Sequence, residues 1–339
     1  GAACALAFAR QGARVALADI RLPQDTAAAA EAAGAAEVVS LSCDVSDAAS
    51  VAALGASIDA TFGGGGHSRA ILNKLSSKGK LIAFDQDEDT LARVPQDPRF
   101  TLVNHNFQFT KPYLEYLKAL PVDGILADLG ISSHQIDVGE RGFAHRLNGP
   151  LDMRMSNQNP ISAAYLVNTA SESELITIFK QYGEIPNARR LAEVISRSRG
   201  SKDLATIQGF KAAIAPCTPG KTPAKYLSQV FQALRIAVNK EMFVLETLLN
   251  DAEAIIKPGG KLVVISYHSL EDRMVKHLFQ TGNLQGERHT DLYGHISKPF
   301  DNQPNAAITP DAEEIETNKR ARSAKMRIGV RNTWKRTHS

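Results

Sequence analysis

Ile58-Asp-Ala-Thr-Phe-Gly-Gly-Gly-Gly-His-Ser68 is a short apolar run that breaks into four consecutive glycines. It reads as a strand feeding a turn that cradles a phosphate or a nucleoside. Glycine accepts positive φ without steric cost and lets a ligand come close to the backbone, so four in a row are unfavourable anywhere else. The helix expected next, over about Ser68 to Leu75, aims its N-terminal N–H groups and the positive end of its dipole at whatever sits in the turn.

Downstream, Gly79-Lys-Leu-Ile-Ala-Phe-Asp85 is an apolar strand ending in an acid about twenty residues past the glycines, the spacing of a Rossmann-like nucleoside site. An acid at a strand end also serves as a helix cap, so Asp85 gains its ribose-holding reading only together with the glycines. Phe100-Thr-Leu-Val-Asn104 is the third strand, with Asn106-Phe107 beyond it placed to lie against an adenine. Val122-Asp-Gly-Ile-Leu-Ala-Asp128 is the fourth. In an open α/β sheet these strand ends bring Gly65, Gly66, Asp85, Phe107 and Asp128 to one edge, where ligands bind.

From about Asp137 to Lys240 helical patterns take over. Ser171-Glu-Ser-Glu174 caps one helix, Asn187 to Arg197 is a basic amphipathic one, and Tyr226 to Leu249 reads as one long helix. Pro216, Pro219 and Pro223 cluster in a loop before it. Arg189, Arg190, Arg197, Arg199 and Lys202 form either a solvated face or a phosphate-contacting surface. The sheet resumes at Lys261-Leu-Val-Val-Ile-Ser-Tyr267, announced by Pro258-Gly259-Gly260, and His268-Ser-Leu-Glu-Asp272 follows at that strand's carboxyl end. After a loop-rich stretch to about Pro310, Ala324 to Val330 reads as an edge strand.

Composition sets the class. In 339 residues, 43% are hydrophobic and 22% charged, the profile of a soluble globular protein with two compact units or one α/β domain bearing an insertion. Net charge is only +3, but Lys319, Arg320, Arg322, Lys325, Arg327, Arg331, Lys335 and Arg336 are concentrated at the end with no acid among them. Such a tail is either solvated terminus or anion-binding surface. Cys4, Cys43 and Cys217 form no CxxC pair, which argues against zinc and disulfides and suits a reducing cytoplasm. No signal peptide and no run of about eighteen apolar residues appear, so neither secretion nor a membrane partner is expected.

Upstream, residues 1–57 have a different character. Arg14-Val-Ala-Leu-Ala-Asp19 and Glu37-Val-Val-Ser-Leu-Ser-Cys43 read as strands, the first preceded by an alanine-rich helix over Ala2 to Arg10 and the two separated by another over about Asp25 to Ala33, and Asp44-Val45 closes the second strand. This resembles the amino-terminal part of the short-chain dehydrogenases, which implies a ribose contact for Asp19 and an adenine contact for Asp44-Val45. The glycine-rich turn that such a dinucleotide site needs is absent, and no Tyr-x-x-x-Lys constellation follows, so an NAD-dependent oxidoreductase is the weaker reading. Ser46 to Leu54 is expected as a helix entering the strand before the glycines.

Six ordered strings go beyond generic α/β patterning: Asp59 to Ser68, Asp128-Leu-Gly-Ile-Ser-Ser-His-Gln-Ile-Asp137, Gly149-Pro-Leu-Asp-Met-Arg-Met155, Phe231-Gln-Ala-Leu-Arg-Ile-Ala-Val-Asn239, Val264-Ile-Ser-Tyr-His-Ser-Leu-Glu-Asp272, and Arg320-Ala-Arg-Ser-Ala-Lys325. Over about residues 58–331 the chain resembles the bacterial MraW family of 16S ribosomal RNA cytosine-N4 methyltransferases. The resemblance implies an α/β class I S-adenosylmethionine-dependent methyltransferase with a Rossmann-like sheet, a helical insertion domain and, here, an extra amino-terminal α/β fragment. The corresponding division is 1–57 for the dehydrogenase-like fragment, 58–136 with 241–331 for the core, 137–240 for the insertion and 332–339 for a basic tail. It also implies that S-adenosylmethionine contacts Gly65, Gly66, His67, Asp85, Phe107, Asp128 and Gln135, that the partner is 16S rRNA in the small ribosomal subunit, and that the enzyme is cytoplasmic. Oligomeric state stays open, with a homodimer as one option.

Cytosine N4 is a weak nucleophile because its lone pair is delocalised into the ring, so acceptors for the amino hydrogens are expected. Asp128, Ser132 and Asp152 are the candidates for that catalytic role. Asp128 alternatively caps a helix, and Asp152 alternatively pairs with Arg154. His134 as a general base is the weaker choice, since a histidine in a turn is commonly structural. No cysteine nucleophile is expected, because attack at C6 serves C5 methylation. The family's own amino-terminal segment, with its His-x-Pro-Val-Leu-type string, is missing here, so a fusion that only binds S-adenosylmethionine or RNA is the alternative to an active enzyme.

Overall fold

The computed structural model of the chain describes residues 56–290 and 293–334. The dehydrogenase-like readings at Asp19 and Asp44-Val45, the Ser46 to Leu54 helix and the last five residues of the basic tail lie outside them. In chain order the elements are β1 (Ala56–Asp59), α1 (Gly66–Lys74), β2 (Lys80–Phe84), β3 (Phe100–Val103), α2 (Thr110–Tyr116), β4 (Val122–Asp128), α3 (Ser133–Asp137), α4 (Ala163–Thr169), α5 (Glu172–Gly183), α6 (Ala188–Ser198), α7 (Ile207–Ile214), α8 (Pro223–Asn239), α9 (Glu241–Ile255), β5 (Ile256–Ser266), α10 (Ser269–Thr281), β6 (Phe300–Asn302), α11 (Ala312–Thr317) and β7 (Lys325–Arg331). They form two compact units, one from the described residues up to Gly130 and from Val244 onward, the other from Ile131–Phe243. Among the described residues no helix is long and apolar enough to cross a membrane.

The first unit is a mixed α/β structure around a seven-stranded sheet of order β3-β2-β1-β4-β5-β7-β6. Strands β1 to β5 are parallel, and β7 runs antiparallel to both of its neighbours. Leu81-Ile-Ala-Phe84 is buried throughout, as expected of a parallel strand covered on both faces. Ile58 sits in register with Ile82 on one side and Ile125 on the other, and full burial of each such side chain contributes roughly 1.5–3 kcal/mol. The chain builds outward from β1 to β3 and then returns to place β4 on the other side, so the carboxyl ends of β1 and β4 flank the crevice where such sheets take ligands. At the opposite end of β1, the Asp123 carboxylate accepts the Ala56 N–H at 2.8 Å and pairs with Lys257, which pins the strand's start.

Two expectations about strands are corrected. Lys325–Arg331 is not an edge strand: it lies between β5 and β6. The edge is Phe300–Asn302, within the stretch read as loop. Three of the supposed tail cations are structural. Lys325 and Arg327 both pair with Asp272, at 3.1 and 2.7 Å, tying α10 to β7. Arg331 donates to the carbonyls of Glu253, Pro299, Asn332 and Trp334.

The second unit is helical, with a core that includes Phe179, Leu191, Ile195, Phe210, Phe231 and Leu234. Helix α5 starts on a capping box in which Ser171 and Glu174 satisfy each other's backbone N–H groups. The expected single helix from Tyr226 to Leu249 is two helices. Lys240 adopts a left-handed φ of 52° and its N–H closes on the Ile236 carbonyl, ending α8 before α9 begins. Pro223 is not in the preceding loop; it opens α8, where its missing N–H is harmless. Arg199 is partly buried and donates to the carbonyls of Val167 and Ala170 at the end of α4, a structural role that sets it apart from the exposed cations. Arg189, Arg190, Arg197 and Lys202 are exposed.

Candidate functional site

The glycine turn is locked from three sides. Phe62 N–H donates to the Phe84 carbonyl, Gly65 N–H turns back to the Phe62 carbonyl at 2.7 Å, and Gly63 N–H donates to Asp85 Oδ2 at 2.7 Å. Gly65 has φ +75°, and a Cβ there would lie 2.9 Å from the Phe62 ring, so both the backbone and the space require glycine. At Gly64 a Cβ would meet nothing within 4 Å, which leaves the outer face of the turn open. Gly66 begins α1, two residues earlier than the sequence pattern suggests, so Gly66 and His67 form its first turn. Arg69 reaches back to the Gly64 carbonyl at 3.0 Å and braces the turn.

Beneath the turn lies an acid that the motif reading leaves without a role. The Asp59 carboxyl is fully buried at the end of β1, accepting from the Ser68 hydroxyl at 2.7 Å and the Thr61 N–H at 3.1 Å. Burial raises its pKa, against the opposing effects of the His67 charge and the Ser68 hydrogen bond. A strand-terminal acid with a serine in the first turn of the following helix was the available signal for this clasp.

Asp85, at the end of β2, accepts one backbone N–H on each oxygen, from Gly63 and from Asp87. Burial pushes its pKa up to about 6. Each oxygen keeps lone-pair capacity for a further donor, such as a ribose hydroxyl. Beyond β3, the Asn106 side chain accepts the Gln108 N–H and caps a short turn starting at the half-buried Phe107. Phe109, the other aromatic in that string, packs edge-on against His105 with ring centroids 4.5 Å apart.

Asp128 ends β4 and is held on every side. Its N–H donates to the Thr61 hydroxyl at 2.7 Å, its Oδ1 accepts from the Tyr267 hydroxyl at 2.9 Å, and its Oδ2 lies 3.3 Å from His67 Nε2. It therefore does not act as a helix cap. Tyr267, within the Val264 to Asp272 string, is a partner of Asp128 that the motif alone does not reveal. The signal was positional: Asp128 is in register with Ile265, so the residue just past the end of β5 stands beside it. Burial, and then the charge of Asp128, raise the Tyr267 pKa, which keeps the phenol protonated and donating.

The first unit thus gathers Gly65, Gly66, His67, Asp85, Phe107 and Asp128 on the carboxyl edge of its strands. Ser132, Gln135 and Asp152 belong to the second unit. Ser132 is the N-cap of α3, its hydroxyl accepting the Gln135 N–H while Gln135 Oε1 accepts the Ser132 N–H. His134 sits inside the same short helix. Asp152 accepts from two of the three guanidinium nitrogens of Arg154, each at 2.8 Å, and from the Arg154 backbone N–H at 3.0 Å. Burial works to raise the Asp152 pKa, but these bonds and the Arg154 charge more than cancel it and hold the carboxyl below its ordinary value. Asp152 and Arg154 form the ion pair named as its alternative role.

The chemistry of the first unit is that of a polar, acid-lined crevice with an open glycine turn, a helix N-terminus and a fixed carboxylate. The sequence model described as "MraW methylase family" matches residues 41–332. The match begins before residue 58, so the expected boundary is corrected: residues 41–57 belong to the methylase match and not to a dehydrogenase-like fragment. A protein of Bacteroides thetaiotaomicron named "Ribosomal RNA small subunit methyltransferase H" is 49% identical over 274 residues, covering 81% of this chain and 90% of that one. Proteins of the same name from Bacteroides fragilis and Flavobacterium johnsoniae are 49% and 50% identical, covering 83% and 80% of this chain and 93% and 89% of theirs.

Proposed function

The chain belongs to the MraW methylase family, and from that premise we propose that it transfers a methyl group from S-adenosylmethionine to N4 of a cytosine in the decoding region of 16S ribosomal RNA. The observation that carries the reading is the Asp128 carboxylate held between Tyr267 and His67, beside an open glycine turn. The residues fit the methyl donor. Gly64 leaves room for it, Gly66 and His67 present the start of α1, Asp85 offers acceptor capacity at the ribose position, and the half-buried Phe107 offers a ring to the adenine.

When bound, S-adenosylmethionine supplies a methyl on a sulfonium that is already strongly electrophilic, so the protein's contribution is placement. Asp128 accepts a hydrogen bond from the cytosine amino group, which draws the nitrogen lone pair out of conjugation, and receives the proton released on methylation. Asp152, whose Oδ1 accepts two Arg154 donors and whose Oδ2 accepts one, serves as an anchor for its loop. Ser132 and Gln135 fix the start of α3 through their mutual cap; the motif assigns Ser132 to the base and Gln135 to the cofactor. The target base leaves its stack to reach Asp128. Exposed Arg189, Arg190, Arg197 and Lys202 in the second unit, and Lys319, Arg320 and Arg322 in the first, bind flanking phosphates.

Small ribosomal subunits that lack the modification, incubated with the chain and labelled S-adenosylmethionine, test the proposal. Label incorporated into 16S rRNA supports it, and cofactor binding without incorporation refutes it in favour of a chain that only binds.

A further inference from the structure

Three segments converge on one residue. Thr61 after β1, His67 in α1 and Tyr267 after β5 each hold Asp128 at the end of β4, by backbone N–H, Oδ2 and Oδ1 respectively. We infer that Tyr267 is a positioning residue for methyl transfer: its hydroxyl, donating to Oδ1 while His67 holds Oδ2, fixes the plane of the Asp128 carboxylate so that the remaining lone pairs meet the amino group of the target base. This rests on the function proposed above.

The torsion that sets the plane of an aspartate carboxylate is broad and roughly two-fold, so an unheld carboxylate samples a wide range of orientations. A carboxylate oxygen accepts, so the phenol donates, and about four acceptor positions on the two oxygens leave capacity for a ligand after both contacts are made. The Tyr267 ring is itself placed, running alongside Gly130, where an added Cβ would lie 3.7 Å from Tyr267 Cδ2. Its backbone is fixed as well, because the Tyr267 N–H donates to Glu271 Oε2 at 2.8 Å in the first turn of α10. A phenol anchored at both ends is a rigid stop for the carboxylate, and displacement of a reacting group by about 1 Å lowers rates on the order of a hundredfold.

Tyr267→Phe in the full chain removes only the hydroxyl and keeps the ring beside Gly130. The expected result is a fall in kcat of about tenfold. The Kd for S-adenosylmethionine by calorimetry stays within about twofold, and the thermal midpoint moves by less than about 2 °C, since one polar contact among many is lost. In an Asp128→Asn background the same substitution lowers the rate by less than about twofold, because a residue acting through Asp128 has nothing left to position. An equal loss in both backgrounds overturns the inference, as does an unchanged kcat, or a weakened cofactor with kcat intact. Where the Asp128→Asn chain transfers too slowly to be read, the kcat, Kd and thermal midpoint of the single variant decide. Absence of transfer by the unsubstituted chain overturns the functional reading and this inference together, whereas an active chain indifferent to Tyr267→Phe overturns this inference alone.

Discussion

Gly65→Ala and Gly64→Ala are neighbouring substitutions with opposite expected consequences. Gly65 stands at φ +75°, and its new Cβ would lie 2.9 Å from Cζ of Phe62, a ring only 2% exposed. A Cβ in the left-handed region costs roughly 1–2 kcal/mol, and displacing a packed ring costs roughly 1–3 kcal/mol. The sum is on the order of 2–5 kcal/mol, which at an m-value of about 3 kcal/mol/M shifts the urea midpoint down by about 0.7–1.7 M. At Gly64 the Cβ meets nothing, so stability changes by less than about 0.5 kcal/mol. That Cβ instead projects into the space assigned to the methyl donor, and calorimetry is expected to show S-adenosylmethionine binding weakened by about tenfold or more. Equal urea midpoints for the two variants would refute the requirement for glycine at 65, and native cofactor affinity in Gly64→Ala would refute the assignment of the open face of the turn to the ligand.

Asp85 gives a pH test. Its folded pKa of about 6 lies above the ordinary value of 3.8, so the folded state binds the extra proton between those values and Asp85 makes stability fall as pH rises through that window. Asp85→Asn removes the effect, so the stability of the variant relative to the native chain rises from pH 4 to pH 6 and levels off above about 6; parallel urea curves at pH 4.5 and 7 contradict this. Asp128→Asn is expected to slow transfer about a hundredfold or more, and Asp152→Asn, which loosens an ion pair, less than about tenfold; the reverse ranking under single-turnover conditions would exchange their roles. Arg189→Ala with Arg190→Ala is expected to weaken RNA binding and to reduce the slope of log affinity against log salt by about one to two, as read by filter binding over a salt series.

What the sequence made legible followed from local chemistry. Alternating strands and the glycine run placed β1 to β5, and strand ends placed Asp85 and Asp128 correctly because backbone direction alone decides which edge they occupy. The break between α8 and α9 was invisible, since a left-handed lysine at 240 carries no glycine to mark it. The edge strand Phe300–Asn302 is three residues long and lacks β-branched side chains, so its pairing with β7 is decided by tertiary contact. The basic run near the end looked uniform, yet Arg327 and Arg331 are buried against Asp272 and the Glu253 carbonyl, partners more than fifty residues away. Tyr267 was missed for the same reason: its meaning depends on the register of β5 against β4.

Mass spectrometry of nucleosides from 16S rRNA, after incubation of unmodified small subunits with the chain and S-adenosylmethionine, addresses the central claim most directly. A single additional methyl on N4 of a decoding-region cytidine, formed about a hundredfold or more slowly by Asp128→Asn, is the predicted result. A methyl on carbon C5, or no methyl in the presence of bound cofactor, would contradict the account.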